Sequence, residues 1–183
     1  MSGIVKEPVS SPAMLRTMNL DGDSQADLSV HGGAAKAVYA YPSEHYAFWK
    51  AELPGMDLPW GMFGENLTTE GLSEETVHAG DTFRIGGAEV VVTQPRLPCF
   101  KLGMRFRRSD IVRRFMESGR TGFYLAVTRS GLVRRGDGVV LLGADPQHVS
   151  IADLVHLRGS GTRDPDLLRR ARRIDPLPDS WKE

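Results

Sequence analysis

Glycine-centred turns recur at close intervals up to about residue 145, and they leave space only for short elements between them. They are Asp21-Gly22-Asp23, His31-Gly32-Gly33, Glu70-Gly71, Ala79-Gly80-Asp81, Gly86-Gly87, Arg129-Ser130-Gly131 and Arg135-Gly136-Asp137. The runs between them are rich in β-branched and aromatic residues: Ala37–Tyr41, Thr82–Ile85, Ala88–Thr93, Gly122–Val127 and Gly138–Leu142. Many short strands joined by tight turns point to a barrel or another compact β fold. Gly80-Asp81 before Phe83 and Gly136-Asp137 before Val139 read as recurring barrel corners rather than as a sequence repeat.

Helices interrupt this pattern. Pro42 to Ala51 places a proline in a first turn and follows it with Tyr46, Phe48 and Trp49. Ser109 to Ser118 offers a serine cap, an apolar face of Ile111, Val112, Phe115 and Met116, and Gly119 as the stop. After Pro146 the pattern is helical only. Ser150-Ile-Ala-Asp153 resembles a capping box, and Asp164-Pro165 opens a second helix carrying Leu167, Leu168, Ala171 and Ile174. The expected fold is therefore mainly β with α (α+β): a barrel over residues 1–145 with flanking helices, and a small helical appendage over 147–183. Thirty-seven residues of amphipathic helix cannot hold a core alone, so the appendage must dock on the barrel or on another subunit.

The 183 residues contain one cysteine, Cys99, which excludes an internal disulfide, a protein-held iron–sulfur cluster and a cysteine-rich zinc site. No run of 18 apolar residues exists, and Met1 to Pro12 lacks an apolar signal core. These features point to a cytosolic (cytoplasmic) protein with no membrane association. The net charge is zero, but it is unevenly spread. Residues 1–95 carry 5 basic and 13 acidic side chains, residues 96–135 carry 11 basic against Asp110 and Glu117, and residues 136–183 carry 7 against 8. The central basic block is either a docking face for an acidic ligand or partner, or a solvated face neutralised by the acidic first half. A nucleic acid polymer is not expected, because no reader motif accompanies the arginines.

Three segments hold residues suited to chemistry. Cys99 lies in Gln94-Pro-Arg-Leu-Pro-Cys-Phe-Lys101, where two prolines fix the backbone and Arg96 and Lys101 put positive charge nearby. Fixed cations push a thiol toward thiolate, the form that ligates metals or attacks electrophiles; a lone cysteine is more commonly an inert small hydrophobe. His31, in Val30-His-Gly-Gly33, can exchange a proton beside glycines that let a ligand approach the backbone, or it is a turn histidine bonded to a carbonyl. Lys36 follows it. Phe63-Gly-Glu-Asn-Leu67 presents the Glu65 carboxylate and the Asn66 amide, suited to polar edges of a heterocycle, and is equally a strand-opening turn. No Walker loop, dinucleotide glycine loop, nucleophile elbow or His-Glu-x-x-His helix is present, and His45, His78, His148 and His156 lack ligand spacing.

Together these segments resemble the MOSC-domain family, β-barrel proteins named after the C-terminal part of molybdenum cofactor sulfurase, and within it the YiiM type. The matching stretches are Asn19–Asp23 with Gln25–Asp27, Val30–Gly33, Tyr41–Tyr46, Phe63–Leu72, Gly80-Asp81, Gln94–Arg96, Pro98-Cys99, Lys101-Leu102, Thr121-Gly122 and Gly136-Asp137. The Leu177-Pro-x-Ser-Trp-Lys182 phrase resembles the three-helix appendage of this type. No single tripeptide is diagnostic; their common order over nearly the whole chain is. YiiM-type chains begin earlier, with an extra strand before Gly3-Ile-Val-Lys-Glu-Pro8, so either the barrel lacks that strand or translation starts upstream of Met1. A missing strand leaves an edge that needs covering.

The resemblance implies that Cys99 is the thiolate ligand to molybdenum in a molybdenum–pterin cofactor. It places Asn66 as a cofactor-contacting amide and His31 as the proton donor paired with Cys99, with Glu65 or Lys36 as weaker candidates. Arg96 and Lys101 are expected to anchor the cofactor phosphate. The activity implied is an oxidoreductase that removes the N–OH oxygen of N-hydroxylated compounds, nucleobases such as 6-hydroxylaminopurine included, as water. A sulfur-carrier or cofactor-handling role, with a persulfide on Cys99, is the alternative. Pyridoxal phosphate chemistry belongs to a domain absent from the chain and is not expected. A separate electron-donating reductase is expected as partner, and a homodimer stays open.

Overall fold

The computed structural model describes residues 4–23, 33–159 and 164–183. In chain order the elements are β1 (Ala13–Leu15), a 3-10 turn (Ala34–Lys36), β2 (Val38–Pro42), α1 (Glu44–Glu52), β3 (Leu67–Thr69), β4 (Thr82–Ile85) and β5 (Ala88–Pro95). They continue with α2 (Phe100–Phe106), α3 (Ile111–Glu117), β6 (Phe123–Arg129), β7 (Gly131–Val133), β8 (Val139–Gly143), α4 (Ile151–Gly159), α5 (Pro165–Ala171) and a last 3-10 turn (Asp179–Trp181). Six strands form one mixed sheet in the order β3-β2-β6-β5-β4-β8, curled into a half-barrel, and β1 pairs with β7 in a separate ribbon. The fold class is α+β, as the turn spacing predicts.

Strand β2 organises the interior. Its five residues are all buried, and strand alternation sends them to opposite faces. Val38 and Ala40 join one apolar core with Val90, Val92, Phe123 and Leu125. Tyr39 and Tyr41 join a second core with Trp49, Phe63, Phe106 and Phe115, under α1, α2 and α3. The aromatic rings interlock: Tyr41 stacks on Phe63 at 4.5 Å between centroids, and the Trp49 indole N–H donates to the Tyr41 hydroxyl at 2.8 Å.

Turn chemistry sets the strand connections. The β4–β5 hairpin closes on Gly86-Gly87, with Ile85 opposite Ala88. The two Gly-Asp corners are built alike. Asp81 accepts the His78 backbone N–H at 2.9 Å, and Asp137 accepts that of Arg134 at 2.9 Å. Each carboxylate thus closes a turn on the third residue before it. Gly122 has φ 61°, and a Cβ there would sit 2.5 Å from the Ala40 carbonyl oxygen and 2.8 Å from the Tyr39 ring. Only glycine lets the start of β6 approach β2 so closely.

Two helix starts differ from expectation. Pro42 does not open α1 but ends β2, paired with Thr69 of β3, and the helix begins at Glu44. The N-cap of α3 is Asp110 rather than Ser109, and it makes no side-chain cap bond, because its carboxylate is held by Arg108 at 2.8–2.9 Å. A charge-assisted bidentate pair outcompetes the cap. The tail follows its sequence signals closely. Ser150 and Asp153 exchange reciprocal bonds of 3.0 Å, and Asp164 caps α5 through the N–H groups of Asp166 and Leu167.

The tail packs against the sheet. Leu167, Ala171, Ile174, Leu177 and Trp181 share the core that contains Val90, Val92 and Phe123. Trp181 also donates its indole N–H to Gln94 of β5 at 2.6 Å. Truncating a buried tryptophan costs about 3–5 kcal/mol, so Trp181→Ala should lower the denaturant midpoint by that equivalent; a loss under about 1 kcal/mol would mean the tail is not part of the cooperative core. A paired test concerns the turns. Gly136 has φ 88° with nothing near its missing Cβ, so Gly136→Ala should cost about 1 kcal/mol. Gly122→Ala adds a backbone clash and should cost clearly more; equal losses would refute the close approach of β6 to β2.

Candidate functional site

The end of β5 delivers the residues that the sequence singles out. Gln94, Pro95 and Arg96 run off the sheet beside Phe123 and Tyr124 of β6, and the Arg96 N–H reaches the Gly122 carbonyl at 3.3 Å. Pro98 then holds the approach to Cys99, which is extended (φ −123°, ψ 177°) while its carbonyl accepts the Leu102 N–H at 2.9 Å. Cys99 is therefore the N-cap of α2 and sits half-buried at a rigid corner, with its thiol unlinked.

Arg96 lies beneath this corner and is only 6% exposed. Its guanidinium faces the Tyr39 ring at 4.9 Å and the Phe115 ring at 5.4 Å, a cation held between aromatic faces. Burial alone would depress its pKa, but Tyr39, Tyr124 and Cys99 outweigh burial and raise it, so the charge stays fixed. Burial pushes the Tyr39 and Tyr124 phenols up, with Arg96 opposing the rise in both. One guanidinium nitrogen, Nη1, is buried without a hydrogen-bond partner among the described residues. An unsatisfied buried donor is expensive, and one on a cation beside the thiol marks a place built for an acceptor.

The other expected residues fall into three groups. Lys101 occupies the first turn of α2, two residues past Cys99, and makes no ion pair or hydrogen bond among the described residues. Lys36 ends the 3-10 turn before β2, a turn held on β5 by the Thr93 hydroxyl, which donates to the Ala35 carbonyl at 2.6 Å. His31 lies outside the described residues. Asn66 serves a structural purpose: its Oδ1 accepts the Tyr39 N–H at 2.9 Å and its Nδ2 donates to Asp23 at 2.7 Å. Its amide extends the β2–β3 pairing and leaves one N–H uncommitted among the described residues. Glu65 is 3% exposed. Its Oε1 accepts from the Tyr46 hydroxyl, from the Gly61 N–H at 2.9 Å and from Thr68 at 3.2 Å, while Oε2 has no partner among the described residues. Burial first, and Glu65 second, raise the Tyr46 phenol.

Tyr39 links these groups. Asn66 holds its backbone, Arg96 faces its ring, and its hydroxyl donates to the Thr121 carbonyl at 2.8 Å. Nothing in the sequence marks Tyr39 as more than a strand residue; its alternation with Val38 and Ala40 was the available signal. A buried hydrogen-bonded pair is equally unmarked in the sequence. His45 Nε2 and Glu74 Oε2 lie 2.7 Å apart, and the second Glu74 oxygen accepts the Gly122 N–H at 2.6 Å. This pair pins α1 and the loop after β3 to the turn that opens β6.

The basic block divides. Arg114 and Arg129 pair with Glu52 and Glu89 of the acidic first half, while Arg108, Arg113 and Arg134 pair with local carboxylates. Arg96 is buried, and Lys101 and Arg107 make no ion pair among the described residues. No group of three or more His, Cys, Asp or Glu side chains converges to hold a bare metal ion among the described residues, and no described helix is long and apolar enough to cross a membrane.

Comparison with known proteins agrees with this architecture. Residues 27–140 match the MOSC domain model. The chain is 40% identical over 181 residues to YflK of Bacillus subtilis, and 36% identical over 182 residues to YiiM of Escherichia coli, spanning 81% of each. It is 38% identical over 144 residues to a protein of Gibberella moniliformis named "Reductase", covering 77% of this chain but 26% of that one. The crystal structure of YiiM from Geobacillus stearothermophilus superposes with a TM-score of 0.87 at 32% identity, covering all of this chain and 86% of the other. With its curled mixed sheet, its docked helical tail and its thiol corner at the end of β5, the chain belongs to the MOSC domain family and is of the YiiM type.

Proposed function

We propose that this protein is a molybdenum-cofactor-dependent oxidoreductase that reduces N-hydroxylated compounds, nucleobases such as 6-hydroxylaminopurine among them. The observation that carries the reading is the buried, charge-fixed Arg96, its Nη1 unpartnered among the described residues, next to a half-buried Cys99. The donor set suits a molybdenum–pterin group. Such a cofactor brings its own dithiolene sulfurs and needs one further soft thiolate, which is what a single cysteine offers. When bound, it would supply the two-electron exchange that removal of the N–OH oxygen requires.

The residues of this chain bind and orient. Cys99 provides the thiolate at a corner made rigid by Pro95 and Pro98. Arg96 presents a fixed positive charge and an open donor to an anionic group beside the thiol, where low dielectric strengthens the contact. Lys101 adds a second cation for a phosphate, and the remaining Asn66 N–H is available to the same ligand. Reduction consumes two electrons and two protons per N–OH, and His31 is the proton donor, with Glu65 and Lys36 as second choices. The relative named "Reductase", in which the matched stretch is about a quarter of the chain, supports a barrel that works inside a larger reducing system. A single cysteine, which forms no internal disulfide, fits work in a reducing cytoplasm.

Protein made in a cofactor-competent host should contain molybdenum and pterin. Cys99→Ser should lose N-hydroxyl reduction by orders of magnitude, with stability changed by about 1 kcal/mol, whereas Arg96→Met, which keeps bulk under Tyr39, should retain less pterin. Near-normal activity in Cys99→Ser would remove the thiol from the site, and labile sulfane sulfur without metal would favour the sulfur-carrier role. Loaded protein should also fail to oxidise NADPH by itself in the presence of 6-hydroxylaminopurine, because the chain has one cysteine and no flavin or nicotinamide motif. Unaided NADPH oxidation, followed at the nicotinamide absorbance, would overturn the need for a partner.

A further inference from the structure

The surface that adjoins Cys99 is apolar at its centre. Leu97, Phe100 and Met104 are 37%, 66% and 69% exposed. Phe100 and Met104 stand one turn apart on α2, and a shallow groove runs from them to Val112 of α3 past Gly103, Arg108 and Ser109. Large exposed apolar side chains gathered in one place mark interaction sites. The helices that carry this centre have an excess of positive charge: residues 100–120 hold seven arginines and lysines against Asp110 and Glu117, Glu52 offsets Arg114, and the balance stays positive. The C-cap Arg107 is exposed and without an ion pair among the described residues.

Charge identifies the occupant. A symmetric contact between two copies would place this face against itself, basic rim on basic rim, which opposes association. An acidic face fits instead. Three apolar side chains make a small centre, the size that suits brief encounters between electron-transfer proteins rather than a permanent complex. The patch also brackets the thiol, with Leu97 two residues before Cys99 and Phe100 directly after it. We propose that the Leu97–Phe100–Met104 patch with its arginine rim is the docking site for an acidic electron-transfer protein. The proposal rests on the reductase reading above. Two electrons from the reduced carrier, delivered in successive encounters, and two protons from solvent convert R–NHOH to R–NH2 and water, and the carrier leaves oxidised.

The test uses the loaded full chain with 6-hydroxylaminopurine and two electron sources. One is reduced methyl viologen, which needs no docking surface; the other is an acidic flavodoxin kept reduced. Met104→Glu and Arg107→Glu should keep the viologen-driven rate within about twofold and raise KM for flavodoxin by about tenfold or more, and the wild-type KM should climb as salt rises from about 50 to 300 mM. An unchanged KM in both variants overturns the proposal. So does wild-type protein that accepts electrons from viologen but not from flavodoxin. Met104→Glu that turns a dimer into a monomer in sedimentation assigns the patch to a second copy and overturns it as well. If viologen drives no turnover in the loaded wild type, the reductase reading itself fails, and the docking proposal falls with it.

Discussion

Strand β2 is buried on both faces, and the rest of the molecule depends on that. A strand at a protein surface needs one apolar face; this one has two, with Val38 and Ala40 turned to the core of the sheet and Tyr39 and Tyr41 to the aromatic core under the helices. The helical layer is thus not an ornament on the barrel. It covers tyrosines that would otherwise expose large rings to water, and it brings α2, with Cys99 at its start, over the same strand. Gly122 lets β6 close against β2 without a side chain between them, and the His45–Glu74 pair holds the turn from the other side.

The site grows out of the second core. A guanidinium taken out of water costs several kcal/mol unless its donors are met. Arg96 recovers part of this from the faces of Tyr39 and Phe115 and from its electrostatic coupling to Tyr124 and Cys99. Among the described residues it is nevertheless left with an unmet donor. A core selected for stability alone would place a methionine or leucine here. Retaining a buried cation under a half-buried thiol makes sense when an anionic ligand completes both, which is why the orphaned nitrogen, rather than the thiol alone, carries the functional reading.

Much of this was legible in the sequence, and the misses have physical causes. The runs that became β2, β4, β5, β6 and β8 are long enough and β-branched enough to stand out between glycine turns. Strands β1, β3 and β7 have three residues each, too few for any alternation to show, and exist because neighbouring segments pair with them. Helix α2 was hidden by Pro98 before it and Gly103 within it; the chain tolerates that glycine where the Arg108 carbonyl passes close by. Cys99 and Arg96 were visible as residue types. Their placement around Tyr39 was not, because it depends on register between β5, β6 and β2, and Asn66 looked like a free ligand when its amide is largely spent on Tyr39 and Asp23.

The central claim is that one protein sulfur, from Cys99, completes the metal environment while Arg96 supplies charge beside it. Molybdenum K-edge X-ray absorption on protein loaded in a cofactor-competent host tests it most directly. The account predicts that Cys99→Ser loses one sulfur scatterer from the metal environment relative to the wild type, and that Arg96→Met keeps that scatterer at lower metal content. An identical sulfur count in wild type and Cys99→Ser would contradict it.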